Sequence, residues 1–142
     1  MLNEGKFDWY NYYELAISYK NENNTAKLRT GIGRFYYSTF LESRDFIIGK
    51  KLFLDNKSKK TMLSTSGRVH RETRCIFDSH EKLNQTHAGR KIAQRLNVLR
   101  KYRNMVDYDS EKPKNLRHAY NRCKLKAKRI FEILDELNQN II

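Results

Sequence analysis

TAKLRTGIGRFYYSTFLESRDFI, running from Thr25 to Ile47, is the stretch on which the fold turns. Leu28, Ile32, Phe35, Tyr36, Thr39, Phe40, Ser43, Phe46 and Ile47 recur within it at steps of three and four. The rhythm lasts about five turns, and only an α-helix gathers such positions onto one stripe. Thr25 is placed to cap its start. Gly31 and Gly33 interrupt the run. A lone GxG with no strand before it makes a poor phosphate loop, so these glycines predict close approach of another helix.

Working outward, Asp8 is a candidate cap for a first helix whose face is Trp9, Tyr12, Tyr13, Ala16 and Ile17, closed by the polar cluster Lys20 to Asn24. Downstream of the central helix, residues 50–64 read as a basic connector with an apolar island, Leu52 to Leu54; a strand there has no visible partner. Ser64, Thr65 and Ser66 offer caps for a third helix through about Ser79, striped by Val69, Thr73, Ile76 and Phe77. A fourth spans about Thr86 to Asp107, with Ile92, Leu96, Leu99 and Val106 as its apolar positions. After a polar break, Pro113 suits the first turn of a fifth helix bearing Leu116, Tyr120, Cys123, Ala127, Ile130, Phe131, Leu134 and Leu137. The expectation is a single all-α domain over 1–142, an up-and-down bundle of four to five helices.

The 142 residues carry 29 Lys and Arg against 16 Asp and Glu, a net charge of +13. That excess points to an anionic partner, and RNA or DNA is the commonest one. Cys75 and Cys123 form no CxxC pair and no zinc-ligand spacing, and no His, Asp or Glu cluster has metal spacing, so neither metal nor cofactor is expected. The N-terminus lacks a signal-peptide pattern, and no apolar run nears the ~20 residues that span a bilayer. A cytoplasmic protein is the expectation. The fifth helix is basic in its first half and acidic in its last, against the helix dipole. Arg117, Arg122, Lys124 and Lys128 are therefore its candidate RNA-binding residues.

One residue breaks the pattern. With Ile92 at zero and a step of roughly 100° per residue, Leu96 falls near 40°, Leu99 near 340°, Val106 near 320° and Arg103 near 20°. Arg103 thus lies inside the apolar stripe, while Arg100 and Lys101 read as lying outside it. A buried guanidinium is costly unless it is paired or opens onto a cleft or interface. Asp107, one turn on, is an available partner, though Arg before Asp is the less favourable order.

Two stretches resemble the HEPN superfamily (higher eukaryotes and prokaryotes nucleotide-binding domain). In RTGIGRFYYSTF, Arg29 to Phe40, followed by Arg44-Asp45-Phe46, small residues and an arginine precede paired aromatics. In LRKYRNMVDY, Leu99 to Tyr108, an Arg-Asn pair leads to Val106-Asp107-Tyr108, close to the Ala-Asp-Tyr ending of a common variant of the family's late motif. The resemblance spans roughly Trp9 to Leu137. It implies a dimeric helical bundle with the two late-motif helices face to face. In active members it implies metal-independent RNA cleavage by 2′-OH attack, leaving a cyclic phosphate. Arg103 takes the part of the phosphate-binding arginine and Asn104 that of its polar neighbour; Asp107 and Tyr108 complete the candidate catalytic set. The chain departs from the family where the motif histidine is expected: Tyr108 stands there. A tyrosine, with a pKa near 10, exchanges protons poorly at neutral pH but can orient a 2′-OH or a phosphate oxygen.

The remaining histidines have no assigned place. Arg74 and His80 match the Arg-to-His spacing on the wrong helix, and His70, His87 and His118 are scattered among basic residues. Three functions follow as expectations. The first is a HEPN-type endoribonuclease, a toxin or antiviral effector, working as a homodimer. The second is a non-catalytic RNA-binding or adaptor module, which the missing histidine supports. The third is a helical subunit whose basic face meets an acidic protein. An antitoxin or a defence-complex protein is the expected protein partner.

Overall fold

The structure, a computed structural model, describes residues 6–110 and 115–140. Among the described residues six α-helices pack as a bundle: α1 (Tyr10–Ser18), α2 (Thr25–Lys50), α3 (Asn56–Met62), α4 (Arg68–Ser79), α5 (Ala88–Tyr108) and α6 (Leu116–Asn140), with one 3-10 turn at Glu81–Leu83. No strand occurs among the described residues. The count of four to five helices is therefore corrected to six. The addition is α3, inside the stretch read as a connector: Asp55 caps it by accepting from Ser58 N at 2.7 Å, and Met62 anchors it in the core. Pro113 lies outside the described residues.

The central helix forms as its stripe dictates. Leu28, Ile32, Phe35, Tyr36, Thr39, Phe40, Ser43 and Ile47 are buried and Phe46 is half-buried. Its cap is Asn24 rather than Thr25, the Asn24 side chain accepting from Lys27 N. α2 packs against α1, α5 and α6, and α4 lies on α5. Burial of each large apolar side chain contributes roughly 1.5–3 kcal/mol, so the interdigitated aromatics and aliphatics around α2 dominate the stability.

Two glycines set how closely helices approach. A Cβ on Gly31 would stand 2.8 Å from the Tyr120 ring, so the glycine is a notch that admits α6. Through the notch the Tyr120 hydroxyl donates to the Ala16 carbonyl, tying α1, α2 and α6 together. At Gly89 a Cβ would stand 2.2 Å from the Phe77 carbonyl oxygen, so α5 begins hard against the end of α4. His87, at φ 61°, turns the chain left-handed just before it, and Asn84 donates to the Phe77 and His80 carbonyls while accepting from Arg90 N. This junction fixes where α5 runs, and with it Arg103.

Candidate functional site

The stripe of α5 is buried as its spacing predicts, and Arg103 is buried with it at 8% exposure. Its guanidinium sits among the rings of Tyr36, Tyr37 and Tyr108, at 5.6, 5.2 and 5.9 Å from their centroids. Nη1 donates to the Tyr108 hydroxyl at 3.5 Å and lies 3.7 Å from Asp107 Oδ2. Both contacts are long, and Nε is buried with no hydrogen-bond partner. The charge is thus held by aromatic faces and one half-exposed carboxylate. A well-compensated buried ion pair needs short bonds to every donor, and this arginine lacks them.

Arg103 stands beside a cleft of about 220 Å³ lined by Thr30, Gly33, Arg34, Tyr37 and Asp107. Gly33 keeps it open: the atoms nearest an added Cβ are Arg103 Cγ and Asp107 Oδ1, both at 3.9 Å. Both glycines are helix contacts, Gly31 against α6 and Gly33 against α5 at the edge of this cleft. Arg29 donates to the Val106 carbonyl at 2.7 Å and the Asp109 carbonyl at 3.0 Å, steadying the end of α5 that carries Asp107 and Tyr108. Tyr108 is 78% exposed and Asn104 is exposed, so of the four candidate catalytic residues only Arg103 is buried.

The fold brings in residues that the sequence left unassigned. His70, on α4, meets Tyr36 with Nδ1 2.5 Å from the hydroxyl and stacks on Phe40 at 4.0 Å. Burial, followed by the charges of Arg100, Arg103, Arg74 and Arg44, lowers its pKa from 6.5 to about 4. Burial also pushes the Tyr36 hydroxyl up to about 12. The Tyr36 hydroxyl and His70 Nδ1 thus share one hydrogen bond, between a phenol and a ring both kept neutral near pH 7. Arg74 and Arg100 complete the cluster. Burial first, and Arg100 second, lower the Arg74 pKa. Arg100 is half-buried with an unpartnered Nε, which corrects the reading that put it outside the packed face. No ion pair to Arg74 or Arg100 forms among the described residues. The signal for His70 and Arg100 was their place at the edges of their apolar stripes, a position that helix periodicity leaves ambiguous.

Of the four basic residues proposed on α6, three share one face of the helix and Arg122 lies apart. By helical rotation Lys124 and Lys128 lie within roughly 20° of Arg117, whereas Arg122 lies about 140° away. Arg117 donates to the Lys20 and Glu22 carbonyls and so closes the loop between α1 and α2. Arg122 stacks over Tyr102 of α5, 5.9 Å from its centroid. Among the described residues, no three His, Cys, Asp or Glu side chains group as a metal site, and no helix is long and apolar enough to cross a membrane. Cys123 is buried, which pushes its thiol up to about 12, and Cys75 is exposed and free.

No family model matches the chain, and no solved structure matches it. An uncharacterized protein of Methanocaldococcus jannaschii, MJ0992, is 34% identical over 100 residues, which cover 68% of this chain and 55% of that relative. The chain therefore spans about half the length of the curated relative it matches.

Proposed function

We propose that this domain is a cytoplasmic, HEPN-like endoribonuclease that seats an RNA backbone phosphate at Arg103 and cleaves beside it without a divalent metal. The observation that carries the reading is Arg103 itself: buried, incompletely paired and set beside an open cleft. A phosphate oxygen supplies the short charge-assisted bonds that Asp107 and Tyr108 do not. In the reaction a ribose 2′-oxygen bonds to phosphorus and the bond to the 5′-oxygen breaks, leaving a 2′,3′-cyclic phosphate. Asp107, reaching into the cleft, accepts the 2′-OH proton, Arg103 stabilises the negative charge that grows on phosphorus, and water protonates the leaving oxygen. Tyr108 orients the ribose from the rim. The domain acts as a homodimer through α5 and α2, in a toxin or antiviral setting with an antitoxin or defence-complex partner. The basic face of α6 adds attraction for RNA.

The test is cleavage of labelled single-stranded RNA in EDTA, with circular dichroism on each variant. Arg103→Ala should lower the rate about a hundredfold to a thousandfold, the usual loss when a group stabilising transition-state charge is removed. Asp107→Asn should do the same with RNA affinity kept. Cleavage that survives Arg103→Ala sinks the assignment.

Binding without cleavage is the second reading, and His70 favours it. The histidine that packs in this cluster is held neutral with one nitrogen engaged, so it exchanges no proton near pH 7. In that case no cleavage occurs in EDTA, while Arg103→Ala still weakens RNA binding.

A further inference from the structure

Between α4 and α5 runs a second concavity, about 300 Å³, lined by Arg71, Arg74, Cys75, Asp78, Ala93, Gln94 and Asn97. Its chemistry is unlike a solvated seam. Arg74 donates only a 3.5 Å bond to the His70 carbonyl, one turn back on its own helix. Arg100, on the same side of α5 as Ala93 and Asn97 by helical rotation, keeps a buried Nε without a partner. Asp78 lines the groove yet makes no ion pair with either arginine. The groove therefore presents under-neutralised guanidinium groups beside two side-chain amides, a set that suits a phosphate flanked by a base edge.

Its position gives the set a direction. On α5, Asn97, Arg100 and Arg103 follow at steps of three, each turning roughly 60° around the helix, so the groove on the α4 side leads round α5 to the cleft on the α2 side. We infer that the α4–α5 groove is a nucleotide subsite of the same RNA strand, in which Arg74 and Arg100 hold a phosphate neighbouring the one at Arg103, and Gln94 and Asn97 meet the adjoining base. The inference rests on the reading of Arg103 as a phosphate seat. It adds that the domain engages a run of nucleotides rather than one, and that specificity, carried by the two amides, resides away from the scissile bond.

Uridine oligomers of two and four nucleotides test this by fluorescence anisotropy at low salt. The quantity read is the gain in affinity on lengthening. For the unmodified chain the gain should be about tenfold, the scale of one charge-assisted phosphate contact. In Arg74→Gln/Arg100→Gln the gain should vanish, and the salt slope for the tetranucleotide should fall by about 0.7 for each phosphate released. Arg71→Gln, at an exposed position that cannot unfold the chain, should lower the gain in part. Arg103→Ala should weaken both oligomers and keep the gain. A gain undiminished in the double variant and in Arg71→Gln overturns the subsite and leaves the Arg103 reading standing. Dinucleotide affinity untouched by Arg103→Ala overturns the Arg103 reading instead, and no binding of either oligomer overturns both.

Discussion

Replacing Arg103 with methionine should make the protein more stable, and this separates a functional arginine from a structural one. Methionine keeps the length of the stem in contact with Tyr36 and Tyr37 and removes only the charge. The interactions lost are modest. A 3.7 Å contact to a half-exposed carboxylate is worth roughly 0–1 kcal/mol, and each ring contact about 0.5–1 kcal/mol. Together they reach roughly 1.5–4 kcal/mol. Against them stand the desolvation of a guanidinium, several kcal/mol, and about 1–3 kcal/mol for the unpartnered Nε. The balance favours methionine by about 1–4 kcal/mol, the range found when buried charges give way to apolar residues of similar volume, which for a domain of this size raises Tm by roughly 3–15 °C. Thermal and urea denaturation at pH 7 of the unmodified chain, Arg103→Met and Arg103→Ala read it directly. The alanine variant reports the cavity as well and should be less stable than the methionine one. A fall in Tm for Arg103→Met would show that the ion pair and rings compensate the charge in full, and the argument for an anionic ligand at Arg103 would fall with it.

Other outcomes follow from the same geometry. His70 binds a proton less readily folded, at about pH 4, than at the ordinary 6.5. Between these values the unfolded chain holds more protons, so His70's contribution is intact above pH 6.5 and is lost as pH falls toward 4. Urea midpoints across that window should drop, His70→Phe should flatten the drop, and an NMR titration placing His70 near 6.5 would contradict the buried cluster. Gly31→Ala should cost about 1–3 kcal/mol, because its Cβ meets a Tyr120 ring held by the Ala16 carbonyl, whereas Gly33→Ala should leave Tm nearly unchanged and slow RNA cleavage by narrowing the cleft. Multi-angle light scattering at micromolar concentration should give twice the 17.1 kDa chain mass, and a clean monomer would argue against the dimer.

How far the sequence could be read depended on whether a residue's role was set along one helix or between several. The stripes of α2, α4, α5 and α6 were legible because burial on one face imposes a period, and Arg103 stood out as a violation of it. The short α3 was not. Seven residues carry too little periodicity, and what holds it is a cap at Asp55 and a hydrogen bond from Ser58 to Glu72 on another helix. Gly89 gave no signal either, since its meaning is the Phe77 carbonyl twelve residues earlier. The meeting of His70 and Tyr36 is likewise tertiary, a contact between α4 and α2 that no single helix's period encodes. In the basic half of α6, counting charge along the chain did not show that Arg122 turns away from the face shared by Arg117, Lys124 and Lys128, or that Arg117 is engaged by two backbone carbonyls.

The Tyr120 latch bears on the order in which the protein can be made. It joins residues 104 positions apart, and the Arg117 clasp to Lys20 spans 97. On a ribosome, α1 and α2 emerge long before α6, and until it arrives the notch at Gly31 and the flank of Phe35 stay uncovered. Such long-range closures come late, because loop entropy is lost before any contact rewards it. The nascent chain thus carries a sticky, unfinished face until α6 emerges, and α6 acts as the fastener that ends this exposure.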